Sequence, residues 1–269
     1  MGILNITPDS FADGGVLFDD VERAVETGVR MAADGADILD VGGESTRPGA
    51  EPLREKEELR RVLPVVERLA ARVQIPISID TYKARVAREA LSRGATIIND
   101  VSGLQYDSGL GAVAAASGAA LVLMHTRGRS AGMYDLAVYT DPAQDVAREL
   151  GEAIDRAVRA GVSRDAIIVD PGLGFAKRAE HSYDVLARLD ALAALHRPIL
   201  SGPSRKSFLK GAVGERDPSD REWATAAAVA ASVLLGAHIV RVHGVKEMVD
   251  VVRVSDRLRA SAQTNSSAR

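Results

Sequence analysis

Eight short apolar runs recur along this chain, and nearly every one ends on a polar residue capable of chemistry. The runs are Gly2 to Leu4 closing on Asn5, Ile38-Leu39 on Asp40, Ile77 to Ile79 on Asp80, and Thr96 to Ile98 on Asn99 and Asp100. They continue with Ala120 to Met124 on His125, Ile167 to Val169 on Asp170, Ile199-Leu200 on Ser201, and Ile239-Val240 on Arg241. The intervals leave room for one helix per strand, which predicts parallel strands with right-handed crossovers. In a (β/α)₈ barrel all strands present their carboxyl ends at one mouth, so such residues gather in one site although they are scattered in sequence. The expected fold is a single-domain α/β (β/α)₈ TIM barrel, and the pattern reads as an enzyme.

Length and composition agree. A chain of 269 residues is long for an ordinary domain and ordinary for this barrel, and no Gly/Ser/Pro-rich linker divides it. The barrel is expected over residues 1–260, with a polar tail over 261–269 that lacks order. With 46% hydrophobic residues and only 4% aromatic, the core rests on Ala, Val, Leu and Ile. The formal charge is -3 and the basic residues are dispersed, so no nucleic-acid footprint is present. Without cysteine there is no disulfide, thiolate zinc site or cysteine nucleophile, which fits the cytosol. No stretch has the length of a transmembrane helix and no basic-then-apolar leader opens the chain, so a cytoplasmic protein without membrane contact is expected.

Helical periodicity is expected after each strand. Val21, Ala24, Val25, Gly28 or Val29, and Ala32 recur at three- and four-residue steps. Comparable stretches lie at 55–72, 83–93, 145–160, 182–195, 223–235 and 246–259. Gly35, Gly94, Gly118, Gly161 and Gly236 stand before the next strand, where a helix C-cap needs a positive φ.

Two polar loops exceed what a structural βα connection needs. Asn5-Ile-Thr-Pro-Asp-Ser-Phe-Ala-Asp-Gly-Gly15 follows the first strand, and Asp40-Val-Gly-Gly-Glu-Ser-Thr-Arg-Pro-Gly-Ala50 follows the second. Ordered loops of that length at a barrel mouth read as lids, although Arg47 and Glu44 would also suit a solvated ion pair. Asp80, Asn99 and Asp170 are either helix N-caps or ligands for a heterocycle with an amino group and a ring N–H, whose two hydrogens one carboxylate accepts in parallel. Ser201-Gly-Pro-Ser-Arg-Lys-Ser207 lies where barrels often bind phosphate. It is no Walker loop, since Leu200 and Arg205 occupy the glycine positions, and Lys177 stands where a dinucleotide fingerprint needs its third glycine. Arg241 and His243 alternate after the last strand and, with Arg205-Lys206, suit an oxyanion or phosphate pocket. His125, His181, His196 and His238 lack metal-ligand spacing and read as structural.

Taken together, the two loops, Asp80-Thr-Tyr-Lys83, Asn99-Asp100, Asp170-Pro-Gly-Leu-Gly-Phe175, Ser204-Arg-Lys-Ser207 and Arg241-Val-His243 resemble the dihydropteroate synthase family along almost the whole chain. The resemblance implies condensation of 6-hydroxymethyl-7,8-dihydropterin pyrophosphate with 4-aminobenzoate on a homodimeric, sulfonamide-sensitive enzyme. It places Asp80, Asn99, Asp170 and Lys206 on the pterin. It places Asn5, Arg241 and His243 on pyrophosphate, with Mg²⁺ near Asn5 and Asp13. Phe11, Thr46, Arg47, Pro48, Phe175 and Ser207 would enclose aminobenzoate, and Asp40 would support the second loop. Asp80, Lys206, Arg241 and Asp13 are the expected catalytic set. Ala12 stands for the usual Ser, and His125-Thr-Arg127 for His-Met-Arg. The family's segment ahead of the first strand is absent, from which we expect either a start upstream of Met1 or a weaker barrel bottom. A methyltetrahydrofolate corrinoid methyltransferase would share Asp80, Asn99 and Asp170 but leaves the aminobenzoate loops unexplained. A non-catalytic pterin-binding paralogue would show degenerate loops, and these are nearly intact.

Overall fold

The computed structural model describes residues 1–7, 20–46, 49–129 and 132–267. In chain order the elements are β1 (Gly2–Asn5), α1 (Val21–Ala33), β2 (Leu39–Gly42), α2 (Glu55–Ala70), β3 (Ile77–Asp80), α3 (Ala84–Leu91), β4 (Ile97–Asp100), α4 (Leu110–Ser117), β5 (Ala120–Met124), α5 (Pro142–Arg159), β6 (Ile167–Asp170), α6 (Ala179–Ala187), β7 (Leu200–Ser201), α7 (Lys210–Val213), α8 (Glu222–Leu234), β8 (Ile239–Val240) and α9 (Val245–Ser267). β1 to β6 pair in parallel in chain order, and β7 pairs with β8. Two parallel bridges, Val169↔Ile199 and Gly2↔Val242, join these sheets into a ring. The eight expected strands are present and the fold is a single (β/α)₈ barrel.

Side chains on a strand alternate between faces. The outward residues Leu39, Val41, Ile77, Ile79, Leu121, Leu123 and Val169 pack on helix residues such as Val25, Val62, Val66, Val86, Val146 and Val185. Each fully buried side chain of this kind contributes about 1.5–3 kcal/mol, so packing rather than helix propensity holds the layers. The inward residues form a separate apolar cluster of Met1, Ile97, Val122 and Leu200, fringed by Ile38, Ala120, Ile168 and Ile239. Two residues further along four of these strands the inward face turns polar: Ile38 leads to Asp40, Ile97 to Asn99, Ile168 to Asp170 and Ile239 to Arg241. An apolar plug therefore supports a charged layer at the mouth.

The local signals act as expected in several places. Asp20 Oδ1 caps α1 by accepting from Arg23 N at 2.9 Å, and Asp141 Oδ1 caps α5 through Gln144 N at 3.2 Å. The five pre-strand glycines all have positive φ, between 69° at Gly118 and 107° at Gly236. Several elements differ from the sequence reading, among them the short α7, which no helical period announced. α4 lies outside the periodic stretches, because Leu110-Gly-Ala-Val-Ala-Ala-Ala-Ser117 has no polar face and hence no visible helical period. The helix expected over 182–195 divides into α6 and a 3-10 helix, Leu189–Leu195, in which buried Leu189 and Leu192 lie one three-residue turn apart. α9 continues to Ser267, where loss of order was expected from 261. Extending a nucleated helix by good formers such as Ala260 and Ala262 is cheap. Arg259 Nη1, donating to Val233 O at 3.0 Å and Ala237 O at 3.2 Å, anchors that end to α8.

Candidate active site

Arg241 leaves β8 and reaches across the mouth. Its Nε donates to Asp40 Oδ2 at 2.6 Å and its Nη2 to Asp80 Oδ2 at 2.7 Å. Asp40 Oδ2 also accepts from Asn99 Nδ2 at 2.9 Å, so β2, β3, β4 and β8 meet in one buried network. That bond leaves Asn99 Oδ1 as an acceptor for a ligand. Burial works against the guanidinium, but Asp40 and Asp80 outweigh it and hold Arg241 above its ordinary value. Burial raises the Asp80 carboxyl, with Arg241 opposing and Asp40 adding. Burial sets the direction for Asp80, and the second carboxylate, Asp40, adds to it because one guanidinium serves both.

Opposite this network stand Asp170 and Lys206. Asp170 Oδ1 accepts from Gly172 N at 2.7 Å, and burial raises its carboxyl while Lys206 opposes. Lys206 Nζ donates to Leu173 O at 2.5 Å and lies 4.6 Å from the centroid of the Phe175 ring. Burial lowers the Lys206 ammonium to about 8, with Asp170 opposing and Arg241 adding. Gly172 is obligatory: at φ 64° a Cβ there would stand 2.0 Å from His125 O. The N-cap alternative for Asp80, Asn99 and Asp170 falls away, because α3, α4 and α6 start after Lys83, Gly109 and Arg178.

His243 lies two residues beyond Arg241. Ser204 Oγ accepts from His243 N at 3.2 Å and lies 2.9 Å from His243 Nδ1. The serine hydroxyl then donates to Nδ1, which puts the ring hydrogen on Nε2, a donor suited to an anion. Arg205 does not join this pocket: its Nη2 pairs with Glu222 Oε1 at 2.9 Å. Asn5 ends β1 opposite Gly42 and is partly exposed. Ser207 is exposed and opens a 3-10 turn, Ser207–Leu209.

The second loop is tied by Glu44. Tyr82 Oη donates to Glu44 Oε1 at 2.9 Å, and Lys83 pairs with both Glu44 and Glu58. Glu44 thus anchors the described part of the loop through Tyr82 and Lys83, and the described bonds of Asp40 run to Asn99 and Arg241. Thr46 and Phe175 line a cavity of about 80 Å³ with Tyr82, Tyr106, Arg129 and Met133. Phe11, Asp13, Arg47 and Pro48 lie outside the described residues. Sequence reasoning missed the role of Ser204 beneath His243, for which a serine two residues before Lys206 was the only signal. Among the described residues no group of three or more His, Asp or Glu side chains could cage a metal. None of the described helices is long and apolar enough to cross a membrane.

Residues 1–243 match the pterin binding enzyme family. The dihydropteroate synthase of Synechocystis sp. is 45% identical over 258 residues, covering 96% of this chain and 89% of that protein. A structure of the Yersinia pestis dihydropteroate synthase with a sulfonamide drug complex superposes with a TM-score of 0.92 at 41% identity, covering 97% of this chain and 94% of that one. The Xanthomonas albilineans enzyme with 4-aminobenzoic acid gives 0.89 at 42% identity, covering 97% and 92%. The same enzyme with 7,8-dihydropteroate gives 0.85 at 39% identity, covering 97% and 93%.

Proposed function

The chain belongs to the pterin-binding enzymes as a dihydropteroate synthase, and from that premise we propose how its own residues carry the reaction. It is a transferase that joins 6-hydroxymethyl-7,8-dihydropterin pyrophosphate to 4-aminobenzoate, giving 7,8-dihydropteroate and pyrophosphate. The observation that supports the division of labour best is that Arg241 is held by Asp40 and Asp80 while a second cation, Lys206, is fixed on Leu173 O and feels the charge of Asp170.

Asp170 accepts the pterin amino group and ring N–H, since a carboxylate oxygen bonded to Gly172 N retains a second lone pair. Asn99 and Lys206 take the remaining polar edge of the ring. Two of the five N–H hydrogens of Arg241 are committed to carboxylates, and the other three, with His243 Nε2, meet the pyrophosphate. The exocyclic carbon–oxygen bond breaks with its electron pair leaving on pyrophosphate. The electron-rich dihydropterin carries the cationic character this creates, and Asp80 favours it electrostatically. The arylamine nitrogen forms the new bond and loses a proton, for which its weak basicity requires no strong base. The substitution is accordingly largely dissociative. Thr46, Phe175 and Ser207 hold the aminobenzoate, with Phe11, Arg47 and Pro48 assigned from the sequence.

Magnesium needs only one or two protein oxygens when phosphate and water complete its shell. The amide oxygen of Asn5 fits that requirement, with Asp13 as the second ligand from the sequence. Such an ion supplies neutralisation of the leaving pyrophosphate. A cytosolic location suits the cysteine-free composition. A homodimer suits exposed Trp223 and Leu234 on α8 and Val254 and Leu258 on α9. Sedimentation equilibrium showing a monomer at all concentrations would remove that assignment.

The deciding assay is pyrophosphate release with dihydropterin pyrophosphate and Mg²⁺, with and without 4-aminobenzoate. Release should require the amine, fail in Lys206→Ala, and be inhibited by a sulfonamide competitively with 4-aminobenzoate. A folded, pterin-binding protein that releases no pyrophosphate would contradict the assignment.

A further inference from the structure

A buried lysine lies beneath the loop that follows β6. Lys177 is 1% exposed, and its Nζ stands 2.7 Å from His125 Nδ1, 3.1 Å from Gly172 O and 3.0 Å from Phe175 O. His125 Nε2 faces Glu149 Oε2 at 2.9 Å. Burial works against the Glu149 charge, but bonds from His125 and Arg127 hold that carboxyl well below its ordinary range. Nε2 therefore carries the ring hydrogen and Nδ1 the lone pair. An amine nitrogen among three acceptors must donate three hydrogens, which only the ammonium form has. Burial pulls the Lys177 proton off and Asp170 opposes that, while the three acceptors replace the lost hydration.

The loop so held has no strand or helix to satisfy it. Its backbone is left-handed at Gly172, Gly174 and Ala176, with φ of 64°, 78° and 48°. Side chains take all five carbonyls in turn. Lys177 takes those of Gly172 and Phe175, Lys206 takes Leu173 at 2.5 Å, Tyr134 Oη reaches Gly174 at 3.4 Å, and Tyr139 Oη holds Ala176 at 2.8 Å. One lysine grips the loop from within the wall and the other from the mouth.

Resting on the synthase reading above, we propose that Lys177 is a positioning residue: buried away from both substrates, it fixes residues 172–176 so that Leu173 O and the Phe175 ring meet Lys206, joining the pterin and aminobenzoate halves of the site.

Lys177→Met keeps the chain length and removes all three hydrogen bonds. We expect the KM for 4-aminobenzoate to rise about tenfold or more, because small displacements of positioning groups are amplified in this way. A double variant with Phe175→Ala should lose no more than Phe175→Ala alone. Native-state hydrogen exchange should show faster exchange at amides 172–177 with β1 to β8 unchanged. An unchanged KM, additive losses in the double variant, or unchanged exchange in the loop would each overturn the proposal. If Lys177→Met fails to fold, Tyr139→Phe releases Ala176 O from the same loop and should shift KM and loop exchange in the same directions, and no shift there counts against the clamp. The exchange measurement needs no turnover, so an inactive wild type would count against the synthase reading and leave the clamp to be judged by itself.

Discussion

Lys206 shows how far one side chain's environment sets its chemistry. Desolvation lowers its ammonium to about 8 although Asp170 opposes, so in the free enzyme the proton is lost as pH rises through that value. If the ammonium holds the pterin, kcat/KM should be flat below about pH 8 and fall above it. Lys206→Arg should carry that limb out of the accessible range, because a guanidinium stays protonated. A wild-type profile flat to pH 9.5 would remove the ammonium from the mechanism. The sequence identified Lys206, Asp170, Asn99, Asp80 and Arg241 as candidates because each follows an apolar run or sits in a family motif. It did not reveal which would touch. Asp40 Oδ2 accepts from both Asn99 and Arg241, an arrangement created by residues 59 and 201 positions away.

At the scale of elements, the ion cluster that anchors the second loop carries a stability consequence. Lys83, from the segment between β3 and α3, is paired with Glu44 of that loop and with Glu58 of α2. Glu58 is 1% exposed, and burial raises its carboxyl while Lys83 opposes. Removing one partner of a buried pair strands the others. Lys83→Met should therefore lower unfolding free energy by about 3 kcal/mol, read by denaturant titration. Lys83→Met with Glu58→Leu should recover part of that loss, since the stranded charge is then gone. If the single variant unfolds at the wild-type midpoint, the cluster contributes specificity of loop placement and not stability. The sequence could not pair these residues, because Glu44 and Lys83 meet only once β2 and β3 lie side by side.

For the whole molecule, the bridges Val169↔Ile199 and Gly2↔Val242 close the described strands into a ring, and the wall is held together by side chains as well as by strands. His125 is one such tie, buried between Glu149 of α5 and Lys177 after β6. Burial, with Lys177 adding and Glu149 opposing, lowers its imidazole from 6.5 to about 4. Between those values the unfolded chain binds the proton and the folded one does not, so stability falls as pH falls from 6.5 towards 4. At about 1.4 kcal/mol per pH unit the loss approaches about 3 kcal/mol. Unfolding free energies measured from pH 7 to pH 4 should decline in this way, and His125→Gln should flatten the decline. An equal slope in the variant would place the acid sensitivity elsewhere. The sequence by itself determined the strand count, the helix following most strands, the glycines that end those helices, and the family's site motifs. These rest on period, turn chemistry and residue type, which are local. Only the tertiary structure decided that apolar α4 is a helix, that Ser204 orients His243, that Glu44 answers to Lys83, and that Lys177 lies buried beside His125, Gly172 O and Phe175 O inside the wall. Each of those depends on which groups a closed barrel brings within about 3 Å of one another, a distance that sequence separation does not encode.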